Sequence, residues 1–182
     1  MKNNIALIGF MGAGKTVTGQ ALARLLKLEF VDTDDMIEDR AGMSVAEIFA
    51  SKGEEAFREL EKEAVRQACS RQNRVIACGG GVALRPENTA ALKESAMVIY
   101  LEARPEAVLE RVGGTRATRP LLDVDDPAAV VAALLTERAP LYQKAADIII
   151  DTTGLTAETV AEKIISELGR HESFNLQKQH TR

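Results

Sequence analysis

An α/β fold, with a five-stranded, mainly parallel sheet and helices on both faces, is what this 182-residue sequence predicts. Three observations carry the prediction. Short apolar runs alternate with segments of helical period along most of the chain. A glycine-rich turn separates the first apolar run from the first helix, the connection expected where a strand feeds a helix over a sheet. No internal repeat or linker divides the chain, and its length suits one core able to fold unaided. Residues 1–168 are therefore expected to form a single domain and the polar, aperiodic stretch 169–182 a disordered tail.

The first apolar run, Ile5-Ala6-Leu7-Ile8, reads as a buried strand, and Val17 to Leu26 carries Leu22, Leu25 and Leu26 at helical spacing. Between them, Gly9-Phe10-Met11-Gly12-Ala13-Gly14-Lys15-Thr16 fits G-x-x-x-x-G-K-[ST] at every fixed position. In a strand–turn–helix setting such a loop turns successive backbone N–H groups around an anion, and the helix N-terminus adds partial positive charge. Lys15 is then expected to reach the β- and γ-phosphates of a nucleotide and the Thr16 hydroxyl to ligate Mg²⁺.

Glu29 to Asp32 reads as a second strand, followed at once by Thr33-Asp34-Asp35. If the chain stays extended there, Asp32 and Asp34 point to the same side, beyond the carboxyl end of a strand, where open α/β sheets keep their ligands. The competing reading has Thr33, Asp34 and Asp35 capping the next helix, and it is preferred for Asp35. Ser44 to Glu47 forms a capping box for a helix through about Ser51, Gly53 breaks it, and a longer helix runs from Glu54 to about Arg71. That helix has an apolar stripe of Phe57, Leu60, Ala64 and Ala68. From spacing alone, Arg58 beside it is a surface partner of Glu54 or Glu61.

Val75 to Cys78 is a third strand ending in Gly79-Gly80-Gly81, which either admits a ligand close to the backbone or is a permissive loop. Many phosphate-loop proteins end this strand in an acid that helps hold the metal. Here glycine stands instead, so coordination falls mainly to Thr16, with Asp32 reaching the ion through water. Pro86 starts a helix, Met97 to Leu101 is the fourth strand, and Pro105 begins a helix to about Val112. A loop over about 112–125 holds Gly113, Gly114, Arg116, Arg119 and Pro120 and is long enough to act as a lid. Pro127 to Gln143 is helical in period, and Pro140 is expected to kink or end the helix near Ala139. Ala146 to Asp151 is the fifth strand, and Thr156 caps a last helix ending near Leu168.

A net charge of −4 argues against a nucleic-acid partner, which would need a basic surface. The short N-terminal apolar run, broken by Gly9, is neither a signal peptide nor a membrane span. Cys69 and Cys78 lack metal-ligand spacing and make a poor disulfide framework, so a reducing cytoplasm is the expected compartment. His171 and His180, the only histidines, lie in the tail.

Taken together, these motifs resemble the shikimate kinase family, within the P-loop kinase fold, from about Ile5 to Leu168. The likeness rests on the phosphate loop, Phe30-Val31-Asp32-Thr33-Asp34, Phe57-Arg58-x-x-Glu61 and Gly79-Gly80-Gly81. It continues through Arg119-Pro120-Leu121-Leu122 and Arg138-Ala139-Pro140-Leu141-Tyr142. The first motif is common to many NTPases, whereas the others in this order are specific. The resemblance implies ATP-dependent phosphorylation of the shikimate 3-hydroxyl, a cytoplasmic step toward chorismate and the aromatic amino acids, by a monomer using Mg²⁺. It implies that Asp34, Arg58, Gly80 and Arg138 bind shikimate, and that Gly12, Ala13, Gly14, Lys15, Thr16 and Val17 cradle the nucleotide. Arg119 would be the lid arginine that contacts ATP, and Arg111 is a candidate for stacking on adenine. The catalytic set would be Asp34, Lys15 and Arg119.

The chemistry agrees with that transfer. A small acid with several hydroxyls needs a cationic grip at one end, which Arg58 and Arg138 supply, and an acceptor at the other, which Asp34 supplies. A kinase for gluconate or for a nucleoside monophosphate is the rival within the class. A nucleotide-dependent switch or motor is the alternative outside it. A guanine switch would be expected to carry an Asn-Lys-x-Asp motif, which is absent, and a motor an acid where Gly79 stands.

Overall fold

The computed structural model describes residues 2–112 and 126–171. The chain runs β1 (Asn4–Ile8), α1 (Lys15–Leu26), β2 (Glu29–Asp32), α2 (Thr33–Ala41), α3 (Val45–Cys69) and β3 (Arg74–Ala77). After a short 3₁₀ turn (Val82–Leu84) come α4 (Pro86–Ser95), β4 (Ala96–Glu102), α5 (Pro105–Val112), α6 (Pro127–Ala145), β5 (Ile148–Asp151) and α7 (Ala157–Leu168). The five strands form one wholly parallel sheet in the order β2-β3-β1-β4-β5. β1, β3 and nearly all of β4 are buried along their length, so helices cover both faces, and α1 packs on α7 while α3 packs on α4. β5, at the edge, alternates instead, with Ile148 and Ile150 inward and Ile149 exposed.

Strand order, which spacing along the chain does not reveal, positions the site. β3 lies between β2 and β1, with Ala77 level with both Asp32 and Leu7. Because every strand runs the same way, the carboxyl ends of β1, β2 and β3 open onto one edge. The phosphate loop, the acidic turn and the three glycines meet there, as ligand-binding segments do in open parallel sheets.

Three expectations change. The chain after β2 does not stay extended: Asp32 is the N-cap of α2, its carboxylate accepting the Asp34 N–H at 3.0 Å, and Asp34 lies in the first helical turn. Satisfying an otherwise orphaned helix N–H outweighs continued extension. Pro140 does not end α6, which continues to Ala145 and buries Leu135, Tyr142 and Ala145; that packing holds the helix together through the missing N–H. Leu25, counted with the apolar face of α1, is half exposed.

Elsewhere the local signals hold. Ser44 and Glu47 form both halves of their capping box, and Gly53 interrupts α3 with φ 79° and ψ 173°. Thr156 caps α7 by accepting the Thr159 N–H. Cys69 and Cys78 are free thiols, both pushed to higher pKa by burial. Among the described residues no helix is long and apolar enough to cross a membrane.

Candidate active site

The phosphate loop closes on itself. Lys15 leaves the first turn of α1 and its ammonium donates to the carbonyls of Gly9 and Phe10, at 2.9 and 2.8 Å. Beside it the Thr16 hydroxyl donates to Asp32 at 2.8 Å, tying the start of α1 to the end of β2. Asp32 therefore does two things, capping α2 with one oxygen and meeting Thr16 with the other. A hydroxyl with a carboxylate beside it suits Mg²⁺, which takes one or two protein oxygens and fills its shell with phosphate and water, the Thr16 oxygen as ligand and Asp32 through water. Arg111, on α5, donates to the Gly12 carbonyl at 3.2 Å and to Thr152, buttressing the loop from the far side.

Adjoining the loop is a cleft of about 330 Å³, lined on its polar side by Asp34, Arg58, Glu61, Arg138 and the three glycines. Met11 of the phosphate loop forms part of its wall, with Val45, Phe49 and Phe57 opposite. Arg58 is not a surface residue: it is buried, and its guanidinium donates to Glu54 and to Glu61, the latter wholly buried, each at 3.0 Å. Both partners lie one turn away on the same helix, so α3 carries its own clamp for the arginine. Arg138 arrives from α6 and stands 5.9 Å over the ring of Phe10, bringing a cation to the seam between loop and cleft.

Gly79 and Gly81 lie in the floor of the cleft where a side chain would collide with its neighbours, whereas Gly80 has ordinary contacts only. A Cβ on Gly79 would lie 2.6 Å from Asp34 Oδ1 and 3.1 Å from Glu61 Oε1, and one on Gly81 only 2.1 Å from Arg58. At Gly79 and Gly81 it is the chain's own side chains that come close to the backbone, so the run is more than a permissive loop. The Gly79 N–H donates to Thr33 at 3.0 Å, and Tyr142 donates its hydroxyl to the Gly80 carbonyl.

Buried polar atoms are normally partnered. Among the described residues the buried side-chain atoms without a hydrogen-bond partner are Asp34 Oδ1, Glu61 Oε1, Arg138 Nε and both amide atoms of Asn88; Asp34, Glu61 and Arg138 line this cleft, and Asn88 lies away from it. Burial, with the charge of Asp32 next, lifts the Asp34 carboxyl to about 6. Burial likewise raises Glu61, against the pull of Arg58. Asp35 also borders the cleft, and burial and Asp32 raise it in the same direction. Two arginines, a raised carboxylate and buried polar atoms without partners give the cleft donors and acceptors for a small polar molecule.

The sequence profile of the shikimate kinase family matches residues 11–169. The chain belongs to the shikimate kinase family. It is 50% identical to the shikimate kinase of Caldanaerobacter subterraneus subsp. tengcongensis, over 89% of this chain and 94% of that one. It is 47% identical to that of Thermodesulfovibrio yellowstonii, over 92% and 95%. Among solved structures it resembles the shikimate kinase from Acinetobacter baumannii in complex with shikimate, at a TM-score of 0.91 and 37% identity, covering 94% of this chain and 96% of that one. A gluconokinase from Sinorhizobium meliloti, at a TM-score of 0.59 and 14% identity, shares the fold alone.

For a member of the shikimate kinase family, the sequence-derived residues gather well. Asp34, Arg58, Gly80 and Arg138 line one cleft, and Lys15, Thr16 and Asp32 stand at its neighbour. Arg119 and Arg116, with the proposed lid, lie outside the described residues, as do His180 and the tail from 172. The sequence names Glu61, Thr33 and Tyr142 within its motifs but gives none of them a role in the site. For Glu61 and Tyr142 the available signal was spacing: Arg58 and Glu61 are three apart, Arg138 and Tyr142 four apart, and each pair therefore shares a helix face.

Proposed function

We propose that the chain transfers the γ-phosphoryl group of ATP to the 3-hydroxyl of shikimate, giving shikimate 3-phosphate and ADP. One observation carries the reading: the unpartnered buried atoms of Asp34, Glu61 and Arg138 converge on a cleft that shares Met11 with the phosphate loop. In this reading Arg58 and Arg138 grip the substrate carboxylate and Gly80 meets the ring through its backbone. Asp34 accepts the hydroxyl and, with its basicity raised, takes the proton as the oxygen attacks. The backbone from Gly12 to Val17 cradles the phosphates with Lys15, and Arg119 closes over them. Thr16, and Asp32 through water, would hold Mg²⁺, which supplies charge neutralisation at the β- and γ-phosphates. Binding and orientation by this chain's residues account for the rest of the catalysis, since a loose phosphoryl-transfer transition state asks mainly for positioning and charge stabilisation.

The same reading takes residues 1–168 as one domain working as a cytoplasmic monomer on small molecules, without nucleic acid. A switch or motor has no use for a second polar cleft beside its phosphate loop, and a nucleoside monophosphate would need a base pocket there. ADP release from Mg-ATP, measured with shikimate, gluconate and AMP in turn, tests the proposal. Release stimulated by shikimate alone is expected; equal stimulation by gluconate or AMP, or none by shikimate, would overturn it.

A further inference from the structure

Three consecutive glycines carry no side chains to hold them, and ordering such a segment costs more conformational entropy than ordering any other. The floor of the cleft is nevertheless held at named points. Gly79 donates its N–H to Thr33, the residue before Asp34, and accepts from the Val82 N–H at 3.1 Å. The next carbonyl, that of Gly80, accepts from the Tyr142 hydroxyl, across 62 residues of sequence. The phenol ring is almost fully buried and stacks on Tyr100, with ring centroids 5.1 Å apart, so its hydroxyl cannot wander. Four residues earlier on the same face of α6 stands Arg138.

We propose that Tyr142 is a positioning residue for the acceptor site, setting the orientation of the Gly80–Gly81 peptide and its distance from Arg138. A trans peptide is planar, so holding the Gly80 carbonyl toward α6 fixes the Gly81 N–H on the opposite side. The same hydrogen bond ties the glycine floor to the helix that carries Arg138, so cation and floor keep one spacing. Burial pushes the phenol up to about 12 against the pull of the Arg138 guanidinium, and the hydroxyl remains a donor throughout the working pH range. This assignment deepens the reading of the cleft as a shikimate site and rests on it.

Tyr142→Phe removes one oxygen and keeps the stacked ring. Steady-state kinetics with each substrate varied, shikimate affinity by titration calorimetry without nucleotide, and thermal melts are compared for the wild type, Tyr142→Phe and Tyr100→Phe. The expected result for Tyr142→Phe is a shikimate KM and Kd raised roughly 5- to 30-fold, with the KM for ATP within about twofold of wild type. Tyr100→Phe, which trims the other ring of the same stack, is expected to leave both constants within about twofold. A purely structural tyrosine would lower the melting temperature and leave shikimate binding in the folded protein unchanged. That result, an equal rise in both KM values, or an equal effect of Tyr100→Phe would overturn the assignment. A wild-type protein without shikimate-dependent ADP release would instead refute the underlying function, so the two failures are distinct.

Discussion

Replacing Asp34 by asparagine should make the substrate-free protein more stable while disabling it. The carboxyl titrates near its ordinary 3.8 in the unfolded chain and near about 6 in the folded one, lifted first by burial and then by the charge of Asp32. Between those values the folded state binds the extra proton, so stability falls as pH rises through this window. Below it the carboxyl is protonated in both states and costs nothing; above it the whole penalty is present. A shift of about two pH units at about 1.4 kcal/mol each gives a penalty of at most about 3 kcal/mol at neutral pH. Asparagine keeps the shape and cannot ionise, so thermal melts at about pH 8 should show Asp34→Asn raised by up to roughly 6–12 °C, and those at about pH 4 should show little difference. Turnover at saturating shikimate should collapse in the variant, and in the wild type kcat/KM for shikimate should fall as pH drops below about 6. A melting gain equal at both pH values, or none at the higher one, would refute the claim that a buried charge is kept here for function at the expense of stability.

Arg138→Ala should raise the shikimate KM by roughly 10- to 100-fold and leave that for ATP nearly unchanged, as expected for loss of one charge-assisted grip; steady-state kinetics with each substrate varied would show equal effects if the arginine served the nucleotide instead. Gly79→Ala puts a methyl group 2.6 Å from Asp34 Oδ1. Calorimetry should find shikimate binding lost or weakened at least about tenfold with nucleotide binding retained, whereas normal binding would mean that the floor can yield. Arg119→Ala should cut turnover by roughly a thousandfold without lowering the melting temperature, and near-normal turnover would remove this arginine from the lid role.

Most local signals in the sequence hold in the structure, since the physics behind them is local. The capping box at Ser44, the break at Gly53 and the cap at Thr156 each depend on residues within a few positions and form as their patterns predict, and the glycine-rich turn lies between a strand and a helix as its setting requires. At Asp32 and Pro140 a nearby partner or a buried face outweighs the local preference. Asp32 had a nearer donor to satisfy than continued extension allowed, and Pro140 sits in a helix whose buried face outweighs one missing hydrogen bond.

The sequence by itself determined the fold class and the glycine-rich loop, because these are written as period and spacing, and it carried the motifs that resemble the shikimate kinase family in the identity and order of their residues. Only the tertiary structure decided what Arg58, Gly79, Gly81 and Tyr142 touch. Arg58 is buried rather than a surface partner because α3 turns that face toward the glycines, and Asp34, Glu61 and Arg58 crowd the places where side chains on Gly79 and Gly81 would go. Those contacts depend on β3 lying between β1 and β2, and that order is set by packing between segments far apart in the chain, which no local pattern records.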